Sequence, residues 1–161
     1  MIYIVMGVTG CGKTTIGKSL ASRLGLRFYE GDVFHPQANI EKMKKGIPLA
    51  DKDRMPWLLS ISKKIASLNE SSAIIACSAL KESYRKILAS NGKVEVQFIY
   101  LKGGKEIISK RINKRNNHFM PSRLLESQFE CLEEPNNSIT VSINKTPEKI
   151  LQEIIDNINK E

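Results

Sequence analysis

Cysteine and histidine are scarce in this chain. Its 161 residues include three cysteines, Cys11, Cys77 and Cys131, and two histidines, His35 and His118. The thiols are odd in number, far apart and without C-x-x-C spacing, which argues against a disulfide framework and a zinc site. Two histidines likewise leave little material for a His-rich metal site. No apolar run approaches the ~20 residues of a membrane span, so no membrane partner is expected. The start, Met1-Ile2-Tyr3, carries no basic stretch and reads as a strand rather than a signal peptide, making the cytoplasm the expected location. An aromatic–basic pattern of the RNA-binding kind is also missing. The net charge of +8 is therefore read as attraction for small anions, with no nucleic acid expected. No repeat, low-complexity tract or linker interrupts the chain, so residues 1–161 are expected to form one domain.

What is present is more specific. Gly7-Val8-Thr9-Gly10-Cys11-Gly12-Lys13-Thr14 matches the phosphate-loop pattern G-x-x-x-x-G-K-[ST]. It follows the apolar run Ile2–Met6 and precedes a helix-like segment starting at Thr14-Thr15. Glycines let successive backbone N–H groups approach phosphate oxygens, and the positive end of the next helix adds to the attraction. In this reading Lys13 reaches the β- and γ-phosphates and the Thr14 hydroxyl sits on a magnesium ion. Cys11 lies inside the loop near a helix N-terminus, where a thiol pKa can fall. A small residue filling a tight loop is the preferred reading over a redox-sensitive one.

Strand and helix patterns alternate to the end, which implies α/β architecture: a five-stranded parallel sheet with helices on both faces. Strands are expected at 2–6, 26–29, 73–77, 94–101 and 139–143. Helices are expected at 14–24, 36–45, from Asp51 or Asp53 as cap through Leu68, then at 82–89, 105–113 and 122–132. A final helix opens at Thr146-Pro147-Glu148, with Ile150, Leu151, Ile154, Ile155 and Ile158 as one apolar stripe. Trp57, among Leu58 and Ile61, reads as core. Ligands of open parallel sheets bind beyond the carboxyl ends of the strands. That rule selects the phosphate loop, Gly31-Asp32 and Ser78 to Lys81. Asp32 is the expected carboxylate opposite the γ-phosphate, to take the acceptor's proton or help hold magnesium.

Nearly the whole chain resembles the gluconokinase family, and its middle motifs are the specific ones. The resemblance is carried by Gly31-Asp32-x-x-His35-Pro36-x-x-Asn39-Ile40-x-Lys42-Met43 and Gly46-x-Pro48-Leu49-x-Asp51-x-Asp53-Arg54-x-Pro56-Trp57-Leu58. It continues at Cys77-Ser78-Ala79-Leu80-Lys81-x-x-Tyr84-Arg85, at Arg111, Arg115 and His118-Phe119-Met120, and at Leu124-Leu125-x-Ser127-Gln128-Phe129, thinning after Pro135. It implies a three-layer phosphate-loop kinase fold like that of nucleoside monophosphate kinases, with a short lid at about 111–127. It also implies ATP-dependent phosphorylation of D-gluconate at its C6 hydroxyl, and a homodimer.

Gluconate is a polyol with one carboxylate, so its pocket needs cationic anchors and hydrogen-bonding side chains. Arg54, Lys81 and Arg85 are the cationic candidates, with Ser78 beside them. His35 and Asn39, four apart on one helical face, are assigned to hydroxyls, and Gln128 is a weaker polyol candidate. Arg111 and Arg115, one turn apart, are expected to close over ATP and neutralise the transferring phosphoryl group. The third strand has no aspartate immediately after it, so Thr14, phosphate oxygens and water, with Asp32, are the expected magnesium shell. The alternatives are a kinase of another small acceptor, such as shikimate or a nucleoside monophosphate, and a nucleotide-gated regulatory protein.

Overall fold

The apolar runs of the sequence become strands with both faces covered. The computed structural model describes residues 1–114 and 122–160. Strands β1 (Ile2–Met6), β2 (Arg27–Glu30), β3 (Ala73–Ala76), β4 (Val96–Lys102) and β5 (Ile139–Ser142) form one sheet in the order β2-β3-β1-β4-β5. Every neighbouring pair is parallel; Ile4, for example, faces Ile75 on one side and Phe98 on the other.

Alternation along β1 divides the core in two. Ile2, Ile4 and Met6 point to the face covered by α3 (Asp51–Ser67) and α4 (Glu82–Ala89), where they pack with Trp57, Leu58, Ile61, Ile65, Tyr84 and Leu88. Val5 points to the opposite face, with Ile16 and Leu20 of α1 (Lys13–Leu24) and Ile150, Leu151 and Ile154 of α7 (Pro147–Ile158). The expected α7 signals are all present: Thr146 caps the helix by accepting the Lys149 N–H at 3.3 Å, and Pro147 opens it.

Helices α2 (Gln37–Lys44), α5 (Lys105–Lys114) and α6 (Ser122–Cys131) lie beyond the carboxyl ends of β2 and β4 in chain order. Two local expectations differ from what is found. The cap of α3 is Ala50; Asp51 and Asp53 both lie inside its first turn, and the Asp53 carboxylate accepts the Ala50 N–H at 2.8 Å. Carboxylates there satisfy a free N–H and oppose the positive helix end. A 3-10 turn at Gly31–Phe34, read from sequence only as the end of β2, separates β2 from α2.

Candidate active site

The phosphate loop joins β1 to α1 at the carboxyl edge of the sheet. Gly10 has φ +77°, and a Cβ on it would stand 2.9 Å from Ile112 Cγ1 of α5, so glycine is required by both conformation and space. Cys11 Sγ fills the volume next to Gly7, 2.7 Å from where a Cβ there would stand, and Cys11 is buried. It packs as a small apolar residue, as preferred above. Lys13 Nζ donates to the Val8 carbonyl at 3.0 Å, which holds the ammonium over the loop.

The Thr14 hydroxyl donates to Glu30 Oε2 at 2.5 Å. Glu30 is the last residue of β2 and was not singled out from sequence, although the strand-end rule that selected Asp32 two residues later applies to it equally. Asp32 itself is exposed on the 3-10 turn, its carbonyl accepting the His35 N–H at 3.2 Å. The buried Cys77 thiol lies within the field of Lys13, Asp32 and Glu30. Its pKa is pushed up to about 12, chiefly by burial, with the two carboxylates acting in the same direction and Lys13 against them. The Ser78 carbonyl accepts the Gly7 N–H at 3.3 Å, fastening the end of β3 to the loop.

The acceptor side is assembled from side chains. His35 lies parallel to Trp57, ring centroids 4.2 Å apart at 13°. Asn39 Nδ2 donates to the Asp53 carbonyl at 2.8 Å and lies 3.2 Å from His35 Nδ1. Burial, aided by the Arg54 charge, holds the His35 pKa down to about 4. Arg54 is buried, with Nη1 donating to the Leu49 carbonyl at 2.8 Å and to the Tyr84 hydroxyl at 3.3 Å. None of the ion pairs among the described residues includes Arg54. Next to it, Asp51 accepts from Lys81 Nζ at 2.9 Å and from the Tyr84 hydroxyl. Those two bonds hold the Asp51 carboxyl below the usual range, and the bond to Asp51 raises the Lys81 pKa.

Two expected pocket residues are occupied elsewhere. Arg85, read as a pocket cation, is buried and donates through Nη1 to the Ala79 and Leu80 carbonyls at 2.8 and 3.1 Å. It secures the turn after β3, where Ala79 has φ +45°. Gln128, read as a polyol contact, instead accepts the Thr9 N–H of the phosphate loop at 2.7 Å. The position of α6 puts its amide over the donor site. Trp57 is core as expected, 1% exposed, and its indole Nε1 also donates to the Gly31 carbonyl at 2.8 Å.

Arg111 on α5 donates through Nη2 to the Ile143 carbonyl at 2.7 Å, with Nη1 3.9 Å from the Cβ position of Gly12. It therefore stands beside the loop. Arg115 and His118-Phe119-Met120 lie outside the described residues, as does part of the expected lid. Arg123, at the start of α6, donates to the Gly46 carbonyl at 2.7 Å and so links α6 to the segment after α2; nothing in the sequence marks that contact.

Known proteins are similar to this chain in sequence and in fold. The shikimate kinase family model matches residues 9–159. The thermosensitive gluconokinase of Escherichia coli (strain K12) is 47% identical over 135 residues, covering 83% of this chain and 72% of its own. The gluconokinase of Gluconobacter oxydans (strain 621H) is 41% identical over 163 residues, covering 98% of this chain and 91% of its own. The crystal structure of a gluconokinase from Sinorhizobium meliloti 1021 superposes with a TM-score of 0.91 at 38% identity, covering 98% of this chain and 91% of that one. By both measures the chain belongs to the shikimate kinase family of phosphate-loop kinases and, within it, to the gluconokinases.

Proposed function

We propose that the protein transfers the γ-phosphoryl group of ATP to the C6 hydroxyl of D-gluconate, giving 6-phospho-D-gluconate and ADP. The observation that carries this reading is Arg54: a buried guanidinium in none of the ion pairs among the described residues, close enough to His35 to act on its pKa. Asp51 reaches this guanidinium only through the shared Tyr84 hydroxyl, and a substrate carboxylate would give it a direct partner while the neighbouring side chains hold the hydroxyls. Lys81 and the Tyr84 hydroxyl supply further donors there.

In this reading the loop N–H groups and Lys13 hold the β- and γ-phosphates. Asp32 orients the C6 hydroxyl and takes its proton as the new phosphorus–oxygen bond forms and the β–γ bridge breaks. Arg111, with Arg115, neutralises charge on the transferring group. Thr14 and Glu30, whose oxygens are 2.5 Å apart, are hard oxygen donors that suit magnesium, with Asp32 close by. An ion held there would supply charge neutralisation to the phosphates. The ion would be held by Thr14, phosphate oxygens and water, with Asp32 and Glu30 as the carboxylates at the end of β2. We also read the protein as a cytoplasmic homodimer, with Val33, Met55 and Leu59 as exposed apolar side chains for the contact.

A second acceptor is favoured by one finding, the shikimate kinase family model. Shikimate also carries a carboxylate that Arg54 could hold. ADP release measured with gluconate, shikimate and nucleoside monophosphates as acceptors separates these readings. Turnover of gluconate well above the others is expected; turnover of another acceptor without gluconate overturns the proposal.

A further inference from the structure

We propose that Trp57 is a positioning residue that ties acceptor recognition at His35 to the turn carrying Asp32, and that it reports acceptor binding. The inference rests on the acceptor reading of the crevice given above. Trp57 stands on α3 three residues after Arg54, at the floor of the acceptor side. Its ring supports the His35 ring face to face at 4.2 Å and 13°. Its Nε1–H is bonded to the Gly31 carbonyl at 2.8 Å. Gly31 opens the 3-10 turn and His35 directly follows it, so one side chain holds both ends of a turn that carries the exposed Asp32.

The contacts around that turn leave little room for compensation. A Cβ on Gly31 would stand 2.3 Å from the Ala76 carbonyl oxygen, so Gly31 already lies against β3 and cannot move closer to it. The far end is fixed by Asn39, which is anchored on the Asp53 carbonyl and directs its amide at His35 Nδ1. With Nδ1 accepting, the hydrogen-bond network places the ring proton on Nε2, where it can be donated to a ligand oxygen. A ligand that moves the His35 ring therefore acts on Trp57, and through its N–H on the backbone that carries Asp32. Packing alone would require only an apolar ring; the polar handle of a buried tryptophan is used here on the turn itself.

Trp57→Phe keeps a ring under His35 and removes the bond to Gly31. A fall in kcat of about tenfold or more is expected, the scale on which small misplacements of a reacting group are felt, with the KM for ATP within about twofold of wild type. Trp57 is the only tryptophan of the chain, so emission of the wild-type protein reads the same contact without a substitution. A saturable change with gluconate, absent with ATP alone and lost in His35→Leu, is expected. A Trp57→Phe enzyme whose kcat stays within about twofold of wild type overturns the proposal. So does wild-type emission that saturating gluconate leaves unmoved while the same preparation turns gluconate over; this second measurement decides if the variant does not fold. Failure of wild type to turn over gluconate at all is scored in the acceptor assay and counts against the functional reading instead.

Discussion

The phosphate loop takes its parts from eight consecutive residues, Gly7 to Thr14, whereas the acceptor crevice draws His35, Asn39, Arg54, Lys81 and Tyr84 from three helices and the segments before them. On the donor side the ligand-facing groups are mostly backbone, and shape is enforced by glycine and by neighbours such as Ile112 and Gln128. On the acceptor side they are side chains held by backbone carbonyls and by one another, the pairs of Arg54 with Tyr84 and of Lys81 with Asp51 being 30 residues apart in sequence. A backbone cradle depends on few side-chain identities, but a side-chain crevice depends on the whole tertiary arrangement. Substitutions in the two halves should therefore separate into effects on kcat and effects on acceptor KM.

The largest effect is expected from Lys13→Ala. Removing the ammonium that faces the transferring phosphoryl group should lower kcat by about 10²–10³-fold or more. Thermal unfolding should barely move, because the Lys13 side chain is partly exposed and its bond to the Val8 carbonyl, at 3.0 Å, stays within the loop. Arg54→Ala comes next, raising the KM for gluconate about 10- to 100-fold through loss of a charged hydrogen bond, with kcat much less affected. An unchanged KM would remove Arg54 from the pocket. Arg85→Met sharpens the contrast: the Ala79 and Leu80 carbonyls lose their donor, and stability measured by denaturant should fall by about 1–3 kcal/mol. Gluconate KM in the surviving folded protein should change far less than in Arg54→Ala.

Arg54 and Arg85 also show how far the sequence could be read. Both are arginines beside expected strand ends, and both were expected in the pocket. Only tertiary placement shows that Arg85 spends its donors on the turn at Ala79 and Leu80, while Arg54 stands with Tyr84 and within the field that acts on His35. Contiguous signals fared better. The apolar run of β1, the Thr146-Pro147 start of α7 and the phosphate loop are each encoded within a few residues, where periodicity and capping chemistry act. The Thr14–Glu30 bond, the 3-10 turn held by Trp57 and the Gln128 bond to Thr9 join residues 16, 26 and 119 positions apart, and local pattern carries no trace of them.

A smaller effect concerns pH. His35 has its pKa depressed from 6.5 to about 4, so the unfolded chain takes up this proton before the folded one does. The preference for the folded state is complete above about pH 6.5 and is lost as pH falls toward about 4. After discounting for the partial exposure of the ring, the contribution is about 1–2 kcal/mol. His35→Gln should flatten that part of the stability–pH curve, and an unaltered slope would contradict the assignment. The smallest effect is expected from Lys86→Ala, which breaks a solvent-exposed pair with Glu82 and should cost under about 0.5 kcal/mol.

The three thiols differ in accessibility, and this makes the molecule selectively labelable. Cys11 is sealed beside Gly7, and Cys77 is both buried and held as the thiol by a pKa of about 12. Cys131, the last residue of α6, is partly accessible and lies within the field of Lys81. A thiol-directed fluorophore at neutral pH would therefore attach at one place, on the rim of the acceptor crevice. Paired with Trp57 beneath the crevice as energy donor, it forms a ruler whose two ends the native sequence already supplies.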